Sequence, residues 1–446
     1  MTPPAVALGF RRSLPPALGD LDLHIHPGDA MYRFSRRLCR GVHTQGVLEY
    51  LRSGYAGYRA VAQVLDRQAE RAGAGGWNDV GPVLDFGCGH GRLTRFLVQG
   101  LDPGDLWSAE ADPSAVAFVS ERFGVRAAVS PTDPADLHLR HLGAEPFGAI
   151  FALSVLSHLP RNTFEGWLER WLGWLRPGGV LAFSTLGPSA LLPGRTMPEA
   201  GFHFERMSES KVLDLEDYGT SWVTPDYVEA LLKRLGGGDL AVRHLPRALW
   251  HLQDLWWVIR DPAVQASLDR DAAAFDPGPA GYLESLDLTP DRSTLTLSGW
   301  AVGRPEPFAP AALEIAVGDR PAVRHRPDMP RDVLLGGCAV PAASGFEVRL
   351  DAGDVPFGED EILRVEAVGP NGARHVLHLG GLEAADAYLR LLAASGERDE
   401  LRDQVDVFEA SGFGRLRRRW MALKGRRLGG ASPPGRAQTA GPSQDR

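Results

Sequence analysis

The sequence predicts an α/β fold, a doubly wound and mainly parallel sheet, followed by a small all-β sandwich and a helical basic tail. Three observations carry this. Over residues 79–260 short apolar runs alternate with segments of helical periodicity, the pattern of strands covered by crossover helices. Over 281–379 the pattern changes to short alternating strands separated by turn residues, as in a β sandwich. At 446 residues the chain is also long for a single core.

Taken in order, residues 1–42 form an N-terminal extension, Pro-rich at its start and without the sustained apolar core of a signal peptide. Residues 46–69 place Val47, Leu48, Leu51, Tyr58, Val61 and Leu65 close to helical spacing, and Ser53-Gly54 is expected to interrupt that helix. Val83-Leu84-Asp85-Phe86 reads as a buried strand, and Gly87, Gly89 and Gly91 then allow a tight turn into a helix at 92–99. Strands are expected at 106–109, 125–129, 147–153 and 180–185, with a tryptophan-rich core helix at 163–175. Thr224 with Pro225 marks a helix start, Gly236-Gly237-Gly238 its end, and 239–245 with 252–259 suit an antiparallel hairpin. Residues 261–280 are expected as a linker, 281–380 as the β sandwich, 381–428 as a helical tail and 429–446 as disordered.

The glycine turn by itself also fits any tight strand-to-helix connection. Asp85 narrows the choice, because its carboxylate would repel a pyrophosphate but would welcome a ligand bearing an ammonium and a sulfonium, as S-adenosylmethionine does. The stretch VLDFGCGHGRLTRFL resembles the first motif of the class I S-adenosylmethionine-dependent methyltransferases. Glu110-Ala111-Asp112-Pro113, the segment 151–159 and Leu175-Arg176-Pro177-Gly178-Gly179 continue that resemblance over roughly residues 40–260. It implies a Rossmann-like methyltransferase with Asp85, Gly87, Cys88, Gly89, Gly91, Glu110, Ala111 and Ser154 around the cofactor.

Glu110 ends the second strand without a capping role and is assigned to the ribose hydroxyls, with Ala111 against the adenine. Asp112 before Pro113 reads as an N-cap. Asp133 is either the acidic residue that family members bring to the adenine amino group or a local cap. His158, beyond the fourth strand, is the first candidate for a general base, with a packed structural ring as the other reading. His203 and Glu205 follow, in a loop at 187–221 expected to cover the acceptor. His43 and Arg52 are weaker site candidates, and Trp300 is either a sugar platform or a core residue.

Composition excludes several classes. A net charge of −8 argues against general nucleic-acid binding, and Cys39, Cys88 and Cys338 are too few and too scattered for a zinc site or a disulfide framework. The long apolar run near 147–159 falls well short of the ~20 residues of a membrane span. In the tail, Phe413, Leu416, Trp420 and Leu423 form an apolar stripe ringed by arginines, the pattern of an interfacial helix on anionic lipid. Methyl transfer to a hydroxyl of a cell-surface glycan or its lipid-linked precursor is expected, in the cytoplasm and peripheral to the membrane. The segment 217–222 resembles methyltransferases found among bacterial surface-polysaccharide genes. A cofactor- or glycan-binding scaffold without activity, or a nicotinamide oxidoreductase, are the rival readings.

Overall fold

The structure, a computed structural model, describes all residues except 1–3, 192–194, 208–215, 305–308, 331–333, 336–337, 340–341, 359–360, 383–384, 386–388 and 390–446. The basic stripe at 413–427 and the remainder of the tail therefore lie outside the described residues. Residues 1–389 form one compact unit.

Helices α1 (Pro4–Arg12), α2 (Ala30–Leu38) and α3 (His43–Ala72) precede the sheet. The sheet's strands are β1 (Val83–Phe86), β2 (Leu106–Glu110), β3 (Arg126–Val129), β4 (Phe147–Ala152), β5 (Leu175–Leu186), β6 (Phe202–Glu205), β7 (Thr220–Val223), β8 (Ala241–Leu249) and β9 (Gln253–Ile259). Their order is β3-β2-β1-β4-β5 with all five parallel, and β9 runs antiparallel along β5 with β8 beside it. The order reverses between β1 and β4. The crevice outside their carboxyl ends is where open α/β sheets hold ligands.

The sheet divides two cores, as its two-residue period requires. Val83, Ala149, Phe151, Val180, Ala182 and Trp257 meet Val61, Val64 and Leu65 of α3 on one face. Leu84, Ile150, Ala152, Leu181, Phe183 and Trp256 meet Trp167, Leu168 and Trp171 on the other, so the tryptophan-rich helix (Arg161–Trp174) is core. On the first face the helix Gln265–Ala273 buries Leu268, and Phe275 follows it into the same core. The segment expected to be a linker is thus part of the mainly parallel layer.

The β sandwich contains β10 (Ala280–Leu288), β11 (Thr294–Gly303), β12 (Ala312–Val317), β13 (Val323–His325), β14 (Gly345–Asp351), β15 (Ile362–Val368) and β16 (Arg374–Gly381). One antiparallel sheet pairs β11 with β10 and β14, the other has the order β13-β12-β15-β16. Trp300 is buried, in line with the core reading. Two expectations change here. The N-terminal extension is no appendage: Val6, Phe10, Leu14 and Leu18 form a core with Val47 and Leu51 of α3 and with Val376 and Leu379 of β16. Helix α3 is unbroken through Ser53-Gly54, and a Cβ at Gly54 would lie 2.7 Å from the Arg92 carbonyl oxygen, so the glycine serves close packing and not a break.

Candidate active site

The turn after β1 uses its three glycines differently. All have positive φ, 74° at Gly87, 52° at Gly89 and 74° at Gly91. A Cβ at Gly87 would meet Val155 at 2.4 Å and one at Gly91 would meet the Phe123 ring at 2.4 Å. At Gly89 nothing lies within 4 Å. Two glycines therefore permit packing, and the middle one borders open space. The Gly87 amide donates to the Ala109 carbonyl at 2.8 Å, tying the turn to the end of β2. Burial raises the Cys88 thiol well above its ordinary range and leaves it as neutral filler.

Two carboxylates face this turn. Asp85 is buried and accepts from Thr94 Oγ1 at 2.7 Å. Burial pushes its pKa up to about 7, the charge of Glu110 adding in the same direction. Glu110 accepts from the amides of Gly89 at 2.9 Å, Ala111 at 2.7 Å and Asp112 at 3.2 Å. Burial raises its pKa as well. A carboxylate offers about four acceptor positions, so three are filled and both hydroxyls of a ribose can be held only if Glu110 releases an amide. A buried acid pair beside an open cradle suits a cationic nucleoside, and S-adenosylmethionine fits these residues. Asp112 caps the helix Pro113–Phe123 through the Ser114 amide at 2.8 Å.

At the carboxyl end of β4, Ser154 has φ +60°, a left-handed conformation unusual outside glycine and common at functional sites. A closed ring of hydrogen bonds holds it. The Ser154 amide donates to Ser184 Oγ at 2.7 Å, Ser184 Oγ to Gln253 Oε1 at 2.6 Å, and Gln253 Nε2 to Ser154 Oγ at 3.0 Å. Sequence reasoning missed Ser184 and Gln253. Their only signal was a polar residue near the carboxyl end of one apolar strand and a polar residue at the start of another.

Four residues on, His158 is buried and its Nδ1 lies 3.0 Å from the Gly219 carbonyl oxygen. A carbonyl only accepts, so Nδ1 carries the proton in the neutral ring and Nε2 is the basic nitrogen. Tyr218 stacks on the ring at 4.7 Å. The segment expected to cover the acceptor therefore reaches His158, and it contains a β6–β7 hairpin where a loop was anticipated. His203 Nε2 lies 3.0 Å from Glu205 Oε1, and Glu205 pairs with Arg195. The Arg195 guanidinium, then His203, hold the Glu205 carboxyl below its usual range, which makes Glu205 a poor base. Asp133 is exposed and accepts from the Ala135 amide at 2.8 Å, so its observed role is the cap. His43 meets the Tyr32 hydroxyl and Arg52 meets Glu49, and neither contacts the glycine turn.

The N-terminal segment also reaches the site. Buried Arg95 donates to the carbonyls of Gly91, Asp22 and His24 at 2.9, 3.1 and 2.9 Å. His26 stacks on His90 of the turn at 4.5 Å. Among the described residues no cluster of metal-binding side chains occurs, and no helix is long and apolar enough to cross a membrane.

Comparison with known proteins bears on this site. A family described as a methyltransferase domain matches residues 84–181, which run from β1 into β5. The chain is 26% identical over 203 residues to a malonyl-[acyl-carrier protein] O-methyltransferase of Prosthecochloris aestuarii, covering 45% of this chain and 73% of that protein. It is 28% identical over 258 residues to an erythromycin 3''-O-methyltransferase of Saccharopolyspora erythraea, covering 54% and 80%. Among solved structures, the plantazolicin methyltransferase BpumL in complex with SAH aligns with 15% identity and a TM-score of 0.35, over 57% of this chain and 96% of that one.

Proposed function

We propose that this chain, an S-adenosylmethionine-dependent methyltransferase, delivers its methyl group to a hydroxyl oxygen, that of a sugar in a cell-surface glycan or its lipid-linked precursor. The bound cofactor supplies an activated methyl group on a sulfonium. What remains for the protein is to hold, orient and deprotonate. Asp85 supplies negative charge, Glu110 and the Gly89 cradle hold the nucleoside, and the Ser154–Ser184–Gln253 ring fixes the backbone at the end of β4. An alcohol must also lose its proton, and a positioned base is worth ~10²–10⁴-fold.

The observation that supports this reading is the Nδ1 hydrogen bond of His158 to Gly219, which puts the proton of the neutral ring on Nδ1. The names of the two relatives, both O-methyltransferases, support an oxygen acceptor. The glycan rests on the resemblance of residues 217–222. Contact with anionic membrane through residues 411–428 belongs to the same proposal and would bring the enzyme to a lipid-linked acceptor. Labelled cofactor and a panel of soluble and lipid-linked oligosaccharides test it. His158→Ala is expected to lose ~10²–10⁴-fold in kcat with cofactor affinity retained. Near-normal turnover across pH in that variant removes His158 as the base.

A further inference from the structure

A cavity of about 100 Å³ lies between α3, the β8–β9 turn and the β sandwich. Arg52, Arg59, Arg304, Trp250, His251 and His375 are among its lining residues. Arg304 is its central feature. It is buried and donates Nε to the Gly278 carbonyl at 3.0 Å, Nη1 to that of Arg247 at 3.1 Å and Nη2 to that of Pro277 at 2.8 Å. Among the described residues no carboxylate makes an ion pair with it, whereas Arg52 and Arg59 pair with Glu49 and Asp276. Three of its five N–H groups are engaged and two are left for a ligand.

The surroundings repeat the pattern. His251 Nδ1 is buried without a hydrogen-bond partner. Burial, then Arg52, Arg304 and Arg59, push His375 down to about 3, and no carboxylate is among the causes. Burial likewise lowers His251, with Arg304 next. Burial brings Arg304 itself down to about 9. Burial first, and the arginines after it, keep these imidazoles neutral, and the carboxylates nearby, Glu49 and Asp276, are spent on Arg52 and Arg59, so Arg304 itself has no anionic partner among the described residues.

The cavity borders the methyl-transfer site. Gln253 stands opposite Leu186 at the carboxyl end of β5, so the β8–β9 turn lies on the ligand side of the sheet. Trp250 lines the cavity, donates to the Ser53 carbonyl at 2.8 Å, and has the Arg92 guanidinium 5.1 Å from its ring. Arg247, Trp250 and His251 all have positive φ, 50°, 49° and 62°, a concentration of backbone strain.

We infer that this cavity binds a phosphoryl group of the methyl acceptor, held by Arg304 with Arg52 and Arg59, so that the substrate is a phosphorylated or diphosphate-linked sugar. The inference rests on the methyl-transfer reading and names the substrate class for it. Trp250, which lines this cavity and carries the Arg92 guanidinium on its ring, marks the side past which the sugar of such a substrate would extend.

Calorimetry on the full chain with inorganic pyrophosphate, against sodium chloride at matched ionic strength, tests it. Saturable binding is expected, about tenfold weaker in both Arg304→Gln and Arg59→Gln, with S-adenosylhomocysteine affinity unchanged within about twofold. Because Arg304 ties three carbonyls and its replacement also weakens the fold, wild-type histidine NMR provides a second readout: pyrophosphate should raise the titration midpoints of His375 and His251. Absence of saturable binding, or binding unaltered in Arg59→Gln with unmoved histidines, overturns the assignment. A protein that binds S-adenosylhomocysteine but not pyrophosphate loses this inference alone. One that binds neither loses the methyl-transfer reading as well. Displacement of pyrophosphate by a nucleoside-diphosphate sugar or by a polyprenyl-diphosphate sugar in detergent supports the assignment and distinguishes the two sources.

Discussion

Replacing Asp85 with asparagine separates what the carboxylate costs the empty protein from what it gives the cofactor. Burial raises the Asp85 pKa from 3.8 to about 7. Between those values the folded protein keeps a proton that the unfolded chain releases, so stability falls as pH rises through this window and the loss is complete above about 7. The span corresponds to on the order of 4 kcal/mol. Asp85→Asn removes the loss and keeps an acceptor for Thr94 Oγ1. Without cofactor the variant should therefore be the more stable protein at pH 8, by ~2–4 kcal/mol after relaxation, and nearly equal to wild type at pH 4.

Cofactor binding should show the reverse. A cationic ligand prefers the ionised acid, so wild-type affinity for S-adenosylmethionine should weaken about eightfold from pH 7.5 to pH 6, following the fraction of Asp85 that is ionised. Glu110, also raised by burial, contributes to the same trend. The variant isolates the Asp85 part, by flattening the profile and weakening binding at least tenfold at pH 7.5, roughly the loss of one buried charge contact. Denaturant titrations across pH measure the first effect and calorimetry the second. An apo variant less stable than wild type at pH 8, or a wild-type affinity that does not change between pH 6 and 7.5, refutes the reasoning.

The glycines should separate in the same assays. Gly89→Ala, strained at φ +52° but facing open space, is expected to cost about 1 kcal/mol of stability and to lose cofactor affinity, while Gly91→Ala, driven into Phe123, should lower the melting temperature further. Ser184→Ala strands the Ser154 amide and should cost ~1–3 kcal/mol by denaturant titration, and an unchanged midpoint would show the ring to be incidental. Vesicles containing anionic lipid should retain the full chain and release it when residues 411–446 are deleted, and equal retention would remove the membrane proposal.

The central parallel strands were legible because both of their faces are covered. Strand β4 reads as a nearly unbroken apolar run, and Asp85 interrupts the run of β1 just before the glycine turn. Features that depend on distant partners were not legible. Ser154 and Gln253 are 99 residues apart, and Gln45 of α3 meets the Leu379 carbonyl 334 residues away, so no local pattern announces either contact. Ser53-Gly54 misled because glycine serves close approach as readily as a break. The helix after β9 was missed because only Leu268 of it is buried, too little for a 3.6-residue period to emerge.

These failures share a cause that bears on function. Part of each misread segment (Phe10 and Leu14 of the extension, Ser53, and Pro277 of the presumed linker) lines the cavity where the β sandwich meets the parallel-sheet layer, and there residues are chosen for a partner far away in sequence. Gly278 and Pro277 of the presumed linker hold Arg304, and Ser53 holds Trp250. The β sandwich therefore contributes Arg304 and His375 to a wall that the other layer completes with Arg59 and Trp250. Arg304 is buried at that junction with backbone carbonyls as its hydrogen-bond partners, an arrangement that bulk alone does not require and that fits the proposal of an acceptor site shared between the two layers.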